Sequence, residues 1–145
     1  MKKLFITVSV LLIAIVSSKA QDKDDILGKW MSAHGSGQIE IYKDGDQYSG
    51  KLVWLKSPTD DEGKIKTDIH NPSEDRRSHP LIGLEILKKY NYKGDGEWTD
   101  GAIYDPKSGK TYSSKMELKS TDKLEIRGFM GISLIGKSEV WTRVN

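Results

Sequence analysis

The chain has no cysteine in 145 residues, only four prolines, two phenylalanines and three histidines. Without cysteine there are no disulfides, no thiol nucleophile, no thiolate metal ligand and no site for a lipid anchor on sulfur. Charge of one sign is also lacking, with 23 basic residues against 21 acidic ones. After Val16 no apolar run approaches the length of a membrane span. Nor does any segment carry a helical period over more than two turns.

The first twenty residues stand apart. Lys2 and Lys3 precede an apolar stretch from Leu4 to Val16, and Ser18-Lys19-Ala20 places small residues at a cleavage position. This is the layout of a secretory signal peptide, with a cut expected between Ala20 and Gln21. Residues 21–145 are then the mature domain, exported to the periplasm or beyond the cell. The leader takes Lys2, Lys3 and Lys19 with it, leaving 20 basic against 21 acidic residues, a net charge of about −1. A nearly neutral domain gives no electrostatic footing for nucleic acid. About 125 residues suffice for one domain with a real core.

What is present is alternation. Runs with period two recur between turn residues: "GKWMS" from Gly28, "QIEIYK" from Gln38, "QYSGKLVWL" from Gln47 and "GLEILKKY" from Gly83. "EWTDGAIY" from Glu97, "KTYSSKMELK" from Lys110, "KLEIRGFM" from Lys123 and "KSEVWTRV" from Lys137 continue the series. Half-buried strands have this pattern. Short turns such as "DGD" (Asp44–Asp46), "KGDG" (Lys93–Gly96) and "DPKSG" (Asp105–Gly109) predict antiparallel neighbours. Eight such strands favour an all-β, up-and-down antiparallel barrel, because closure removes the exposed edges. A two-sheet sandwich is the competing architecture. Alternation puts Tyr48, Leu52 and Trp54 on one face, and Tyr112, Ser114, Met116 and Leu118 on another. Trp98 and Tyr104 join the aromatics that can face a common interior.

One connection is not short. Lys56 to Pro80 has little strand character and holds the polar run "TDIHNPSEDRRSHPLIG" (Thr67–Gly83). Asn71 as N-cap, Pro72 at the first position and Glu74 three residues after the cap predict a short helix over 72–78. A connection this long is a lid over the barrel mouth, a strap or a disordered segment. His70, His79, Asp68 and Asp75 lack a compact metal-ligand spacing, and Ser73 with His70 lacks the surroundings of a nucleophile. No metal, cofactor or catalytic set is therefore expected. "SGKTY" (Ser108–Tyr112) lacks the earlier glycine of a phosphate loop and continues as a strand. "NYKGDG" (Asn91–Gly96) lacks the distal glutamate of a calcium loop.

Leu27-Gly28-Lys29-Trp30 on the first predicted strand, with Arg143 near the end, resembles the closure signature of lipocalin-like calycin barrels. There an arginine packs over a tryptophan ring where the first and last strands meet. Over the whole mature chain, "NPSEDRRSHPLIGLEIL", "WTDGAIYDPKSGKTY" and "LEIRGFMGISLIGKSEVWTRV" resemble an uncharacterised exported bacterial family, domain-of-unknown-function family 2147. His79 departs from that pattern, which has an arginine before the proline. The resemblance implies a lipocalin-like fold and an exported home, with no established activity.

The expected function is binding of a small, partly apolar ligand, lipid-like or carrying an anionic group, inside the barrel. Trp54, Tyr104, Tyr112 and Arg127 are its candidate contacts, and Asn71 and Arg77 anchor the lid. Arg127 shares a face with Glu125 and Phe129 unless Gly128 bends the strand and turns it to the rim. Trp30 and Arg143 are structural closure residues. The alternatives are an envelope protein–protein interaction module with a filled barrel, and a hydrolase at the barrel mouth.

Overall fold

The computed structural model describes residues 21–129 and 136–145. The expected leader, and Met130 at the end of the seventh predicted strand, lie outside them. Every predicted strand is present: β1 (Gly28–Met31), β2 (Gly37–Asp44), β3 (Gln47–Leu55), β4 (Glu85–Gly94), β5 (Glu97–Asp105), β6 (Lys110–Ser120), β7 (Lys123–Phe129) and β8 (Gly136–Arg143). Each pairs antiparallel with its neighbour and β1 pairs with β8, so the sheet is a closed eight-stranded barrel and not a sandwich.

Closure is the thinnest seam. β1 is only four residues long and meets β8 through Trp30↔Arg143 and Met31↔Thr142. Side chains reinforce it. The Arg143 guanidinium lies 4.3 Å from the Trp30 ring centre and donates to the carbonyls of Thr121 (2.7 Å), Leu27 (3.0 Å) and Asp25 (2.6 Å). Trp30 is fully buried, and its indole donates to the Ile26 carbonyl at 2.9 Å. Tyr48 donates to Asp24 and Tyr92 to the Gln21 carbonyl, so the segment before β1 is stitched across this end of the barrel. Tyr48's hydroxyl and the Lys43 ammonium hold the Asp24 carboxyl below the usual carboxylate range.

Above this floor the inward residues form one core: Ile39, Ile41, Leu52, Leu87, Trp98, Met116, Leu118, Leu124 and Trp141 among them. Several bulges reset the simple alternation, and two of them bear on expected site residues. On β3, Gln38 pairs with Trp54 but Ile39 with Leu52, leaving Val53 as an extra residue. Trp54 is thereby turned outward and 40% exposed, which corrects the expected shared face with Tyr48 and Leu52. On β5, Trp98 pairs with Met116 and Gly101 with Ser114, and Asp100 takes a left-handed φ of 60°. This reverses the parity: Ile103 points inward with Tyr112, and Tyr104 points outward beside Thr111. β7 has no such break. Arg127 stays on the outer wall, donating to Ser138 at 3.1 Å and lying over Phe129.

The long connection is a strap on that outer wall. Its residues do not border the cavity at the barrel's open end, which corrects the lid expectation. Asp68 is buried at 1% exposure and accepts 2.7 Å bonds from the Tyr104 hydroxyl and the Asn71 amide. Its backbone N–H donates to His79. Arg77 donates to the Asn71 carbonyl at 2.8 Å. The predicted helix shrinks to a 3-10 turn, Glu74–Arg76, whose N-cap is Ser73. Asn71 does not cap it: its side chain is divided between Asp68 and the Ser73 amide. A buried carboxylate needs both donors more than the helix needs a cap.

Trp30→Ala should cost about 3–5 kcal/mol in denaturant unfolding, and Arg143→Ala about 1–3 kcal/mol. Arg143→Lys should recover little, since an ammonium cannot reproduce the planar fork; full recovery would refute the closure argument. Burial and the Asp68 carboxylate push the Tyr104 hydroxyl up to about 12, and burial with Glu85 does the same for Tyr42. Both are protonated longer in the folded chain than in the unfolded one. Their contribution is complete below pH 10 and lost as pH rises toward 12. Stability measured across that range should fall, and less steeply in Tyr104→Phe.

Candidate functional site

With the floor sealed by residues 21–27, the opposite end carries the cavity. It encloses about 420 Å³, within the range of small-molecule sites. Ile86 of β4, Ile103 of β5, Tyr112 of β6 and Ile126 of β7 form its apolar wall. Gly128 widens it: a Cβ there would meet nothing nearer than Ile103 Cγ2 at 3.7 Å. His34 from the β1–β2 loop and Asp105, Pro106 and Lys107 from the β5–β6 turn form its edge.

The polar side belongs to β8. Gly128 pairs with Lys137, Ile126 with Glu139 and Leu124 with Trp141. Trp141 is buried in the core, so Lys137 and Glu139 share the inward face. Their side chains approach to 3.5 Å, and Glu139 also accepts from the Trp141 indole at 3.4 Å. Lys137 remains 76% exposed; such a pair adds little stability and leaves its cation free to meet a ligand.

Of the residues expected to touch a ligand, Tyr112 lies in the cavity wall. Tyr104 borders the cavity, but its hydroxyl is committed to Asp68 on the other side of the sheet. Trp54, Asn71, Arg77 and Arg127 do not border it. Asn71 and Arg77 hold the strap, and Trp54 and Arg127 sit on the outer wall. Sequence reasoning missed His34, Ile86, Lys137 and Glu139. For the last two the signal was there: with Trp141 inward, alternation through "KSEVW" carries both charges inward.

A second hollow of about 450 Å³ lies between strap and wall, lined by Asp68, Asn71, Arg76, His79, Lys88 and Tyr104 among others. Its buried groups already satisfy one another, with Lys88 placed 5.5 Å above the Tyr104 ring. Among the described residues no three His, Asp or Glu side chains converge as a metal site would require. The mouth cavity therefore has the better chemistry for a ligand: an apolar wall on one side and ionisable groups on the other.

No curated protein matches this chain. Among solved structures, the Helicobacter pylori protein HP1028, described as belonging to the lipocalin family, is similar at 20% identity with a TM-score of 0.71. The match covers 82% of each chain. At that identity the likeness concerns the fold, an eight-stranded lipocalin-like barrel. The model of a family described as an uncharacterized protein conserved in bacteria, DUF2147, matches residues 28–143, and the chain belongs to that family.

Proposed function

We propose that this protein is exported and binds a small, partly apolar ligand in the mouth cavity. The observation that carries the reading is a closed barrel stitched shut at one end and hollow at the other. The ligand's apolar part lies against Ile86, Ile103 and Ile126, with the Tyr112 ring beside it. An anionic group on the ligand stays at the edge, where Lys107 and Lys137 stand beside His34, Asp105 and Glu139 and can turn to it. Burying that charge deeper would cost far more than leaving it near cations and water. Export is supported by the leader-like first twenty residues.

Native mass spectrometry of protein purified from its own host should show an added small-molecule mass that solvent extraction removes. A bare chain that co-purifies with a protein partner would favour the interaction-module reading instead. Gly128→Leu tests the site directly, because its side chain would occupy the cavity without a backbone clash. Affinity for an apolar fluorescent probe should fall at least about tenfold, or 1.4 kcal/mol, while the melting temperature holds. Undiminished probe binding would place the ligand elsewhere.

A further inference from the structure

Three enclosed side-chain atoms have no hydrogen-bond partner among the described residues: Tyr90 Oη, Trp98 Nε1 and Ser114 Oγ. Tyr90 is 0% exposed and Ser114 4%. A buried hydroxyl without a partner is costly, and native folds carry few of them. Phenylalanine and alanine would fill the same positions without that penalty, so packing does not explain the two hydroxyls.

Their position does. Tyr90 lies directly over Gly101, where any Cβ would fall inside its ring. Gly101 pairs with Ser114, so the tyrosine crosses the sheet toward the serine's strand. Ser114 in turn pairs with Gly128, which borders the cavity and contributes no side chain. One step toward the open end, the inward pair Ile103↔Tyr112 also borders the cavity. The hydroxyls thus stand just behind the deep wall of the mouth cavity, on the side away from its ionisable edge. Burial raises the Tyr90 phenol and outweighs the lowering by the facing Ser114 hydroxyl, which keeps it a protonated donor at neutral pH. The two hydroxyls face one another without closing a hydrogen bond.

We propose that Tyr90 and Ser114 are specificity-determining residues that hydrogen-bond an uncharged oxygen, a hydroxyl or carbonyl, at the leading end of the ligand. The inference rests on the cavity being the binding site and adds the class of ligand: an amphiphile with an anionic group at one end and a neutral oxygen at the other. No cationic side chain lines the deep wall beside Tyr112, Ile103 and Ile126, so an anion is not the group that binds there. Neither hydroxyl lines the cavity as it stands, so the inference includes a displacement of Ile103 or Tyr112 that admits the ligand's leading end. A site that offers hydrogen bonds to a ligand oxygen discriminates strongly against the analogue lacking it.

The test compares decanoic acid with its ω-hydroxy counterpart by calorimetry on the full mature chain. The wild-type protein should prefer the hydroxy acid by about tenfold. Tyr90→Phe and Ser114→Ala should each reduce the preference, and the double variant should abolish it without weakening decanoic acid. In the absence of ligand, neither substitution should lower the melting temperature, because each removes an unpartnered hydroxyl. Equal binding of the two acids, or a preference that survives in the double variant, overturns the inference and leaves the cavity as a binding site. A lowered melting temperature also overturns it, since the hydroxyls would then be holding the barrel together. Failure of both acids to bind defeats the binding reading of the cavity as well.

Discussion

The contact on which the barrel depends is the stack of Arg143 on Trp30. A four-residue strand supplies too few ladder bonds to hold eight strands in a ring, and an open seam would expose two strand edges. Arg143 supplements the ladder with three carbonyl acceptors drawn from two separate turns, and its guanidinium covers the indole that fills the floor. Because these bonds end on backbone, they lock the segment before β1 as well as the seam. Tyr48 and Tyr92 then fasten that segment from the opposite side of the ring.

A sealed floor has a consequence at the other end. Core residues fill the barrel upward from Trp30 through Trp98 and Tyr48, whose rings meet edge to face 6.2 Å apart. Toward the mouth, Gly128 contributes no side chain, and Lys137 and Glu139 on β8 share the opening with Ile103 and Tyr112. Volume is left where large apolar side chains give way to glycine and to charges that reach for water. The cavity is thus a product of composition at a few inward positions of β7 and β8 near the open end.

The strap follows a different logic. Residues 56–84 cross from β3 to β4 over the outer wall, and their anchor is a buried carboxylate with two neutral donors, Tyr104 and Asn71. This arrangement covers the outward-turned Tyr104, a large ring that the β5 bulge would otherwise leave in solvent. Strap and bulge are therefore coupled: Asp100 turns Tyr104 out, and Asp68 takes its hydroxyl.

The strand count, the antiparallel order, the closure pair and the place of Tyr112 were all legible in period-two patterning and turn chemistry, because those signals are local. Trp54, Tyr104 and the lid were not. One extra residue on β3 and one on β5 reverse the facing of everything beyond them, and a bulge leaves no mark that alternation can read. Asn71 carried a strong capping pattern, yet the demand of a carboxylate buried by tertiary packing outweighed it. By itself, then, the sequence determined that eight strands would pair in order and close, since binary patterning acts between neighbours. Only the tertiary structure decided which side chains line the hollow and where the long connection lies, since those depend on register and on polar groups that meet across the fold.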